Sequence, residues 1–416
     1  MKKFLALIIA LVMALSLVAC GEQKQPDNPD VPDDGQQTAT VKVGFITLHD
    51  ENSTYDLNFI NAAKEAIANL GLTDADYILK TNVPEGQECY ETAMNLVDEG
   101  CNIIFADSFG HEPYMIDAAK EHPEVQFCHS TGTRAHTENL ANYHNAFASI
   151  YEGRYLAGIA AGLKLNEMIE AGKFTADEAK MGYVGAFTYA EVVSGYTSFF
   201  LGARSVCPTV TMDVTFTGSW YDETLEKEGA VKLIQGGCKL ISQHADSLGA
   251  PTACEKAGVP NVSYNGSTVS TCPNTYIISS RINWAPYYEM CIKAVMDGTE
   301  IPADWTGTLA TNSVVLSDLN TAVAAEGTAE AIAAATEKLE KGELHVFDCS
   351  TFTTKVDDKV NTFKADYLKL DEAGHITSYM ADVDTDQAYT GDTEVVHDGY
   401  FSESEFRSAP YFDLQI

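Results

Sequence analysis

The sequence predicts an α/β protein built as two doubly wound lobes. From residue 41 onward apolar strand-like runs alternate with amphipathic helical stretches, the alternation comes as two successive series, and a long Ala- and Gly-rich stretch separates them. Length agrees with this: of 416 residues, about 375 remain once the N-terminal segment is set aside, more than one ordinary core uses.

The first series opens with residues 41–47 (VKVGFIT), a buried strand, followed by apolar residues at helical spacing over 57–70 with Gly71 as C-cap. Strand 77–81 and helix 86–99, strand 103–106 and helix 114–121, then strand 125–129 repeat the unit. Residues 140–144 lead into a helix over 148–171, whose EGRYLAGIAAGLKL core is small enough for close helix packing and too charged to span a membrane. The second series reads as strand 181–187, helix 192–206, strand 212–217, helix 224–235, strand 240–244, helix 251–257, strands 261–264 and 276–280, and helix 286–296. A helical stretch over 322–339 follows, and then an Asp-rich, turn-rich segment from 347 to the end. The expected division is lobe one over 41–146 with part of the C-terminal region, crossover helix and lobe two over 147–297, and a return to lobe one plus a C-terminal extension over 298–416.

In an open parallel sheet, ligands bind beyond the carboxyl ends of the strands. That rule selects Asp50, Tyr55 and Asp56 after the first strand, Asp107, Ser108 and Phe109 after the third, and Tyr189, His244, Asp246, Asn265, Arg281 and Trp284 in lobe two. Aromatic faces can sandwich a flat ring while Asp and Asn bind ring nitrogens or hydroxyls, the composition of a small-ligand pocket. Plainer roles stand beside these: Asp50 or Ser53 as a helix cap, Tyr55 and Phe109 as core, Arg281 and Trp284 as a stacked surface pair. His49 with Asp50, His244 with Asp246, and Ser108 offer only fragments of a catalytic set. No GxSxG, HExxH or P-loop places a nucleophile or metal against a base, so neither catalysis nor a cofactor is expected.

The chain begins with Lys2 and Lys3, an apolar run over 4–19 and the ending Leu17-Val18-Ala19-Cys20. This is a secretory signal (1–19) closing on a bacterial lipobox, in which the Cys20 thiol takes a diacylglycerol; the polar, Pro- and Asp-containing stretch 20–40 is a tether. Sixty Asp and Glu against 26 Lys and Arg give a net charge of −34, which excludes nucleic-acid binding. Ten cysteines leave nine besides Cys20; several sit in apolar runs as small hydrophobes, none has metal-ligand spacing, and a Cys254–Cys272 bridge stays open.

Several strings carry a family resemblance. VKVGFITLHDENSTYDLNFINAAKEA, EGCNIIFADSFGHEPYMIDAAKEHPEVQF, YEGRYLAGIAAGL with KMGYVGAF, FTGSWYD and INWAPYYEMCIKAVMDGT, read with the lipobox, resemble the basic membrane protein family over residues 41–350. Those are purine-nucleoside-binding lipoproteins that act as solute receptors of ABC importers. The resemblance implies a type I periplasmic-binding-protein fold closing on a nucleoside-like ligand, an ABC permease as partner, and a monomer held at the outer face of the cell membrane through Cys20. By position, Tyr55 and Asp56 fall where the family has an aromatic followed by an amide, Asn265 where many members have an aspartate for ribose hydroxyls, and Arg281 near a usual lysine. A surface-tethered sensor of the same fold and an extracellular hydrolase are the alternative readings.

Overall fold

The computed structural model describes residues 40–383, 391–403 and 414–416; the signal segment, Cys20 and nearly all of the tether lie outside the described residues. Lobe one is built from β1 (Val43–Ile46), α1 (Thr54–Asn69), β2 (Tyr77–Lys80), α2 (Gln87–Asp98), β3 (Ile103–Ala106), α3 (Glu112–Glu121), β4 (Gln126–Ser130) and β5 (Tyr143–Ala148). Lobe two follows as α4 (Ile150–Glu170), β6 (Lys180–Gly185), α5 (Ala190–Val206), β7 (Thr211–Phe216), α6 (Glu223–Gln235), β8 (Leu240–His244), α7 (Gly249–Ala257), β9 (Asn261–Tyr264) and β10 (Tyr276–Ile282). The chain then returns through α8 (Ala285–Asp297) and β11 (Asp304–Gly307) before β12 (Val314–Leu316) and α9 (Thr328–Glu340).

Two six-stranded sheets result, ordered β11-β5-β4-β3-β1-β2 and β12-β10-β9-β8-β6-β7. All pairs are parallel except β12 on β10. In both, the second and first strands of the lobe lie at one end and the later ones step away to the other, the doubly wound arrangement expected from the alternation. The central strands are buried on both faces, and VGFI and IIFA accordingly read as continuous apolar runs rather than alternating ones.

The chain passes between the lobes three times, after β5, after β10 and between β11 and β12. That corrects two expectations. Helix α8 was expected to close lobe two, but Tyr287, Tyr288, Cys291 and Ile292 pack into the lobe-one core with Phe45, Phe59 and Phe105, so the second passage comes at Asn283. Strand β5 was not expected at all; Tyr143–Ala148 is buried throughout and pairs with β4 and β11. The helix expected over 322–339 starts later, because the Asn320 side chain binds Pro273 and Tyr276 carbonyls and the Ala322 amide in a turn. Beyond α9, short strands build a small layer whose Phe347, Phe352, Tyr379 and Phe401 pack on Tyr151, Tyr155 and Leu156 of α4, hence on lobe two rather than lobe one.

The Gly-rich face of α4 meets α5 at backbone contact distance. A Cβ on Gly158 would lie 2.1 Å from the Phe199 carbonyl oxygen, and one on Gly202 would lie 2.0 Å from that of Tyr155. Backbone cannot move aside as a side chain can, so this crossing admits only glycine. All nine described cysteines are buried and free, Cys254 and Cys272 included.

Gly202→Ala tests the crossing: it should lower the unfolding free energy by about 1–3 kcal/mol through overpacking, seen as an earlier denaturant midpoint. An unchanged midpoint would show that the helices have room to spread.

Candidate functional site

The loops beyond the carboxyl ends of the two sheets face each other around a partly open cavity, where about 350 Å³ of atom-free space, open solvent included, lies between them. Lobe one lines it with Leu48, Tyr55, Asp56, Ser108, Phe109 and Thr131; lobe two supplies Glu191, Trp220, His244 and Asp246. The lobes touch at its edge. The Asp246 carbonyl accepts from the Thr54 amide at 3.0 Å and its hydroxyl at 3.2 Å, and the Phe109 ring stacks on Tyr189 with centroids 5.2 Å apart. Tyr189 stacks in turn on Phe187, and Trp220 meets Phe187 edge-on, so an aromatic row closes one side.

In lobe one the loop after β1 is wound around Asp56. Its carboxylate accepts the His49 amide at 2.8 Å and the Ser53 hydroxyl at 2.5 Å, while Ser53 caps α1 by accepting the Asp56 amide. Burial raises the Asp56 pKa, but the His49 side chain and amide and the Ser53 hydroxyl outweigh it and the net shift is downward. Tyr55 donates its hydroxyl to the Asp107 carbonyl at 2.8 Å, joining this loop to the one after β3. Ser108 donates its hydroxyl to Glu85 and the Gly110 amide binds the same carboxylate, so the pair fixes this loop. His129, kept neutral by burial at a pKa of about 4, bonds the Ser108 carbonyl.

Thr131 carries a left-handed backbone (φ +68°) that a β-branched residue rarely adopts. Its neighbourhood imposes it: the Thr131 amide bonds Ala146, Glu112 accepts the amides of Thr133 and Arg134, and Gly132 sits so close to Asn145 and His129 that no Cβ fits. In lobe two the buried Glu226, its pKa raised to about 7 chiefly by burial, accepts the Ser247 amide and holds the loop bearing Asp246.

The site is acidic. Asp107, whose Oδ1 accepts the Leu48 amide, and Asp246 are both buried, and both carboxyls are pushed well above the usual range, by burial first and then by the Asp56 charge. No Lys or Arg is among the described residues lining the space. Such a cavity favours a ligand that brings hydrogen-bond donors and disfavours an anion.

Of the residues singled out from sequence, Tyr55, Asp56, Ser108, Phe109, His244 and Asp246 line the space. Asp107 lies behind Tyr55 and Leu48, Tyr189 forms the aromatic edge at 43% exposure, and Asn265 bonds the Asp246 carboxyl from outside the cavity. Three lie elsewhere. Asp50 binds Asn52 and Asn82 in an exposed turn, Arg281 reaches Asn58 in a separate polar groove, and Trp284 is 1% exposed, stacked on Phe59 in the lobe-one core. Leu48, Thr131, Glu191 and Trp220 are additional lining residues. The strand-end rule covers Leu48, Glu191 and also Thr131, which directly follows β4 in a polar loop.

A family model described as "ABC transporter substrate-binding protein PnrA-like", Bmp, matches residues 45–343. A purine-binding protein of Brucella abortus is 32% identical over 262 residues, 62% of this chain and 70% of that protein. A proposed ABC transporter glucose-binding protein of Haloferax volcanii is 33% identical over 258 residues, 62% of each chain. The ABC transporter nucleoside-binding protein BmpA of Lactococcus lactis is 22% identical over 256 residues, 60% of this chain and 67% of that one. Solved solute-binding proteins of ABC transporter systems from Aeropyrum pernix and Conexibacter woesei share the fold, with TM-scores of 0.63 and 0.60 at 18% and 19% identity, covering 78% and 73% of this chain and 96% and 98% of theirs.

Asp107→Asn should stabilise the ligand-free protein. The folded state holds this carboxyl above its ordinary pKa, so its contribution to stability is complete below pH 3.8 and is lost as pH rises through the folded value. The amide does not titrate, so the variant's advantage should be smallest below pH 3.8 and grow as the pH rises toward 7. Thermal melts across that range check it; a pH-independent difference would contradict the assignment.

Proposed function

The chain belongs to the Bmp family of PnrA-like ABC transporter substrate-binding proteins, and on that premise we propose that it captures a purine, as the free base or nucleoside, in the cavity between its lobes. The family is one of non-catalytic solute receptors, whose partners are a ligand and a membrane permease. The observation that carries the ligand reading is the pairing of Tyr55, Phe109 and Trp220 with Asp56, Asp246 and Glu191 around one cavity. A purine ring presents flat faces to aromatics, and its N–H and amino groups, with ribose hydroxyls in a nucleoside, donate to carboxylates. The purine-binding and nucleoside-binding relatives support the same reading.

Binding draws on the contacts between the lobes at the cavity edge. A ligand that contacts both walls stabilises the closed form by its differential affinity, which is how such a receptor signals occupancy to a permease. We further propose that Cys20 carries the lipid and that 20–40 is the tether. No helix among the described residues is long and apolar enough to cross a membrane, and acyl chains stabilise attachment by about 0.8 kcal/mol per buried methylene.

Purified protein scanned against adenine, hypoxanthine, guanine, their nucleosides, uridine and glucose should gain melting temperature with purines. A response to glucose alone would move the assignment to sugars, the ligand class of the Haloferax relative. Asp246→Ala should weaken purine affinity by about 2- to 10-fold, the loss expected for a neutral hydrogen bond, on the order of 0.5–1.5 kcal/mol; unchanged affinity would remove Asp246 from the site. Expressed in a bacterium, the wild-type chain should partition into detergent and take up labelled palmitate while Cys20→Ala does neither. Labelling of the variant would place the lipid elsewhere.

A further inference from the structure

Carboxyl groups reach the cavity from both lobes. Asp56 comes from lobe one, Glu191 and Asp246 from lobe two, and the bond of 3.0 Å from the Thr54 amide to the Asp246 carbonyl brings the loops of Asp56 and Asp246 to the same edge of the cleft. The donors that hold the Asp56 carboxylate are the His49 amide at 2.8 Å, the Ser53 hydroxyl at 2.5 Å and the His49 ring at 3.3 Å. Glu191 Oε1 lies 3.6 Å from His244 Nε2, on an imidazole whose protonation burial opposes.

No lysine or arginine is among the described residues lining the cavity. Arg154, the fully buried cation of lobe two, is committed to the Tyr183 hydroxyl at 3.0 Å, Ser242 Oγ at 2.9 Å and the Ser263 carbonyl at 3.3 Å, and Arg281 faces a separate groove. The same wall is aromatic. Tyr55, Phe109 and Trp220 line the space, and Tyr189 and Phe187 link Phe109 to Trp220 through ring contacts of 5.0–5.2 Å between centroids. The face of an aromatic ring is the negative side of its quadrupole and attracts a cation.

Ring faces alone suit any flat ligand, and carboxyls alone suit any donor. Together, with no counter-cation in the lining, they suit a flat ring that is itself positive. A neutral donor satisfies one carboxyl oxygen, whereas a charge spread over a ring is attracted to every carboxylate and ring face around it, more strongly as the lobes displace water. We propose that this receptor prefers a purine nucleoside whose ring carries a positive charge, an N-alkylated purine, over its neutral counterpart, with Asp56 and Glu191 as the residues that set the preference. This rests on the reading of the cavity as a purine site and narrows it. The net charge of −34 acts in the same direction at longer range, since it draws cations toward the protein.

Calorimetric titration of the full chain at pH 7 tests this with 1-methyladenosine, a cation there, against two neutral ligands: 1-methylinosine, which has the same methyl at the same ring position, and N6-methyladenosine, its isomer. The cation should bind about tenfold tighter than either. Asp56→Asn and Glu191→Gln keep the side-chain shape and remove the charge; each should shrink that ratio to about threefold or less, with the neutral ligands nearly unaffected. Equal or weaker binding of the cation by the wild type overturns the proposal and leaves the purine reading intact. A ratio that survives in both variants overturns it too, because the carboxylates then do not carry the preference. Should one variant fail to fold, the ratio in the other decides. If no purine nucleoside binds, 1-methylnicotinamide against nicotinamide separates the two readings. Preference for the cation there keeps the charge assignment and removes the purine, and binding of neither removes both.

Discussion

The carbonyl oxygen of Asp246 is the point on which closure depends. It accepts two hydrogen bonds from Thr54, across the cleft, while the Asp246 amide donates to the Trp220 carbonyl within lobe two. One residue thereby locks two lobe-two loops together and fastens them to the N-terminus of α1. Thr54 is available because Ser53 caps that helix and Asp56 binds back onto His49, leaving the first helical residue to face the partner lobe. Local chemistry at one helix start thus sets the geometry of the whole cleft.

Closure brings carboxylates together, and this opposes it. Asp56, Asp107 and Asp246 lie in one buried region, Asp56 is held ionised by its hydrogen bonds, and the other two respond by favouring the protonated form. The bonds that cross the cleft are few and each is worth about 1 kcal/mol net. On the proposed reading, a ligand that supplies donors to these carboxyls offsets this cost, and the acidic lining then makes closure depend on occupancy. Pure apolar complementarity would have closed the empty protein as readily as the filled one.

The two-lobed architecture was legible because buried parallel strands are short apolar runs and their helices carry a 3.6-residue period; both signals are local. Lobe membership was not. Helix α8 follows lobe-two strands in sequence, and only its aromatic packing on Phe45 and Phe105 assigns it to lobe one. Half of the residues selected by the strand-end rule line the cavity, since the rule specifies which loops face the cleft but not which side chains turn inward. Trp284 stands next to the cleft in sequence yet turns into the core, where its stacking on Phe59 buries more apolar surface than an exposed position would. Arg154 sits in an Ala- and Gly-rich helix that reads as pure packing, and its partners come from strands far along the chain. Such long-range convergence leaves no periodicity to read.

The cysteines follow from the same packing. A receptor of this family works outside the cytoplasm, where exposed thiols oxidise, yet the nine described cysteines are free. Each is buried, and burial pushes the thiols of Cys101, Cys238, Cys272 and Cys349 up to about 11 and that of Cys254 to about 12. Oxidation and exchange proceed through the thiolate, so these groups are chemically inert while the lobes stay folded. Cys here fills the space of a small hydrophobe against β-strands and helices already in close contact, and reactivity would return only with unfolding. The interior therefore protects its own thiols, and stability is what keeps the chain reduced.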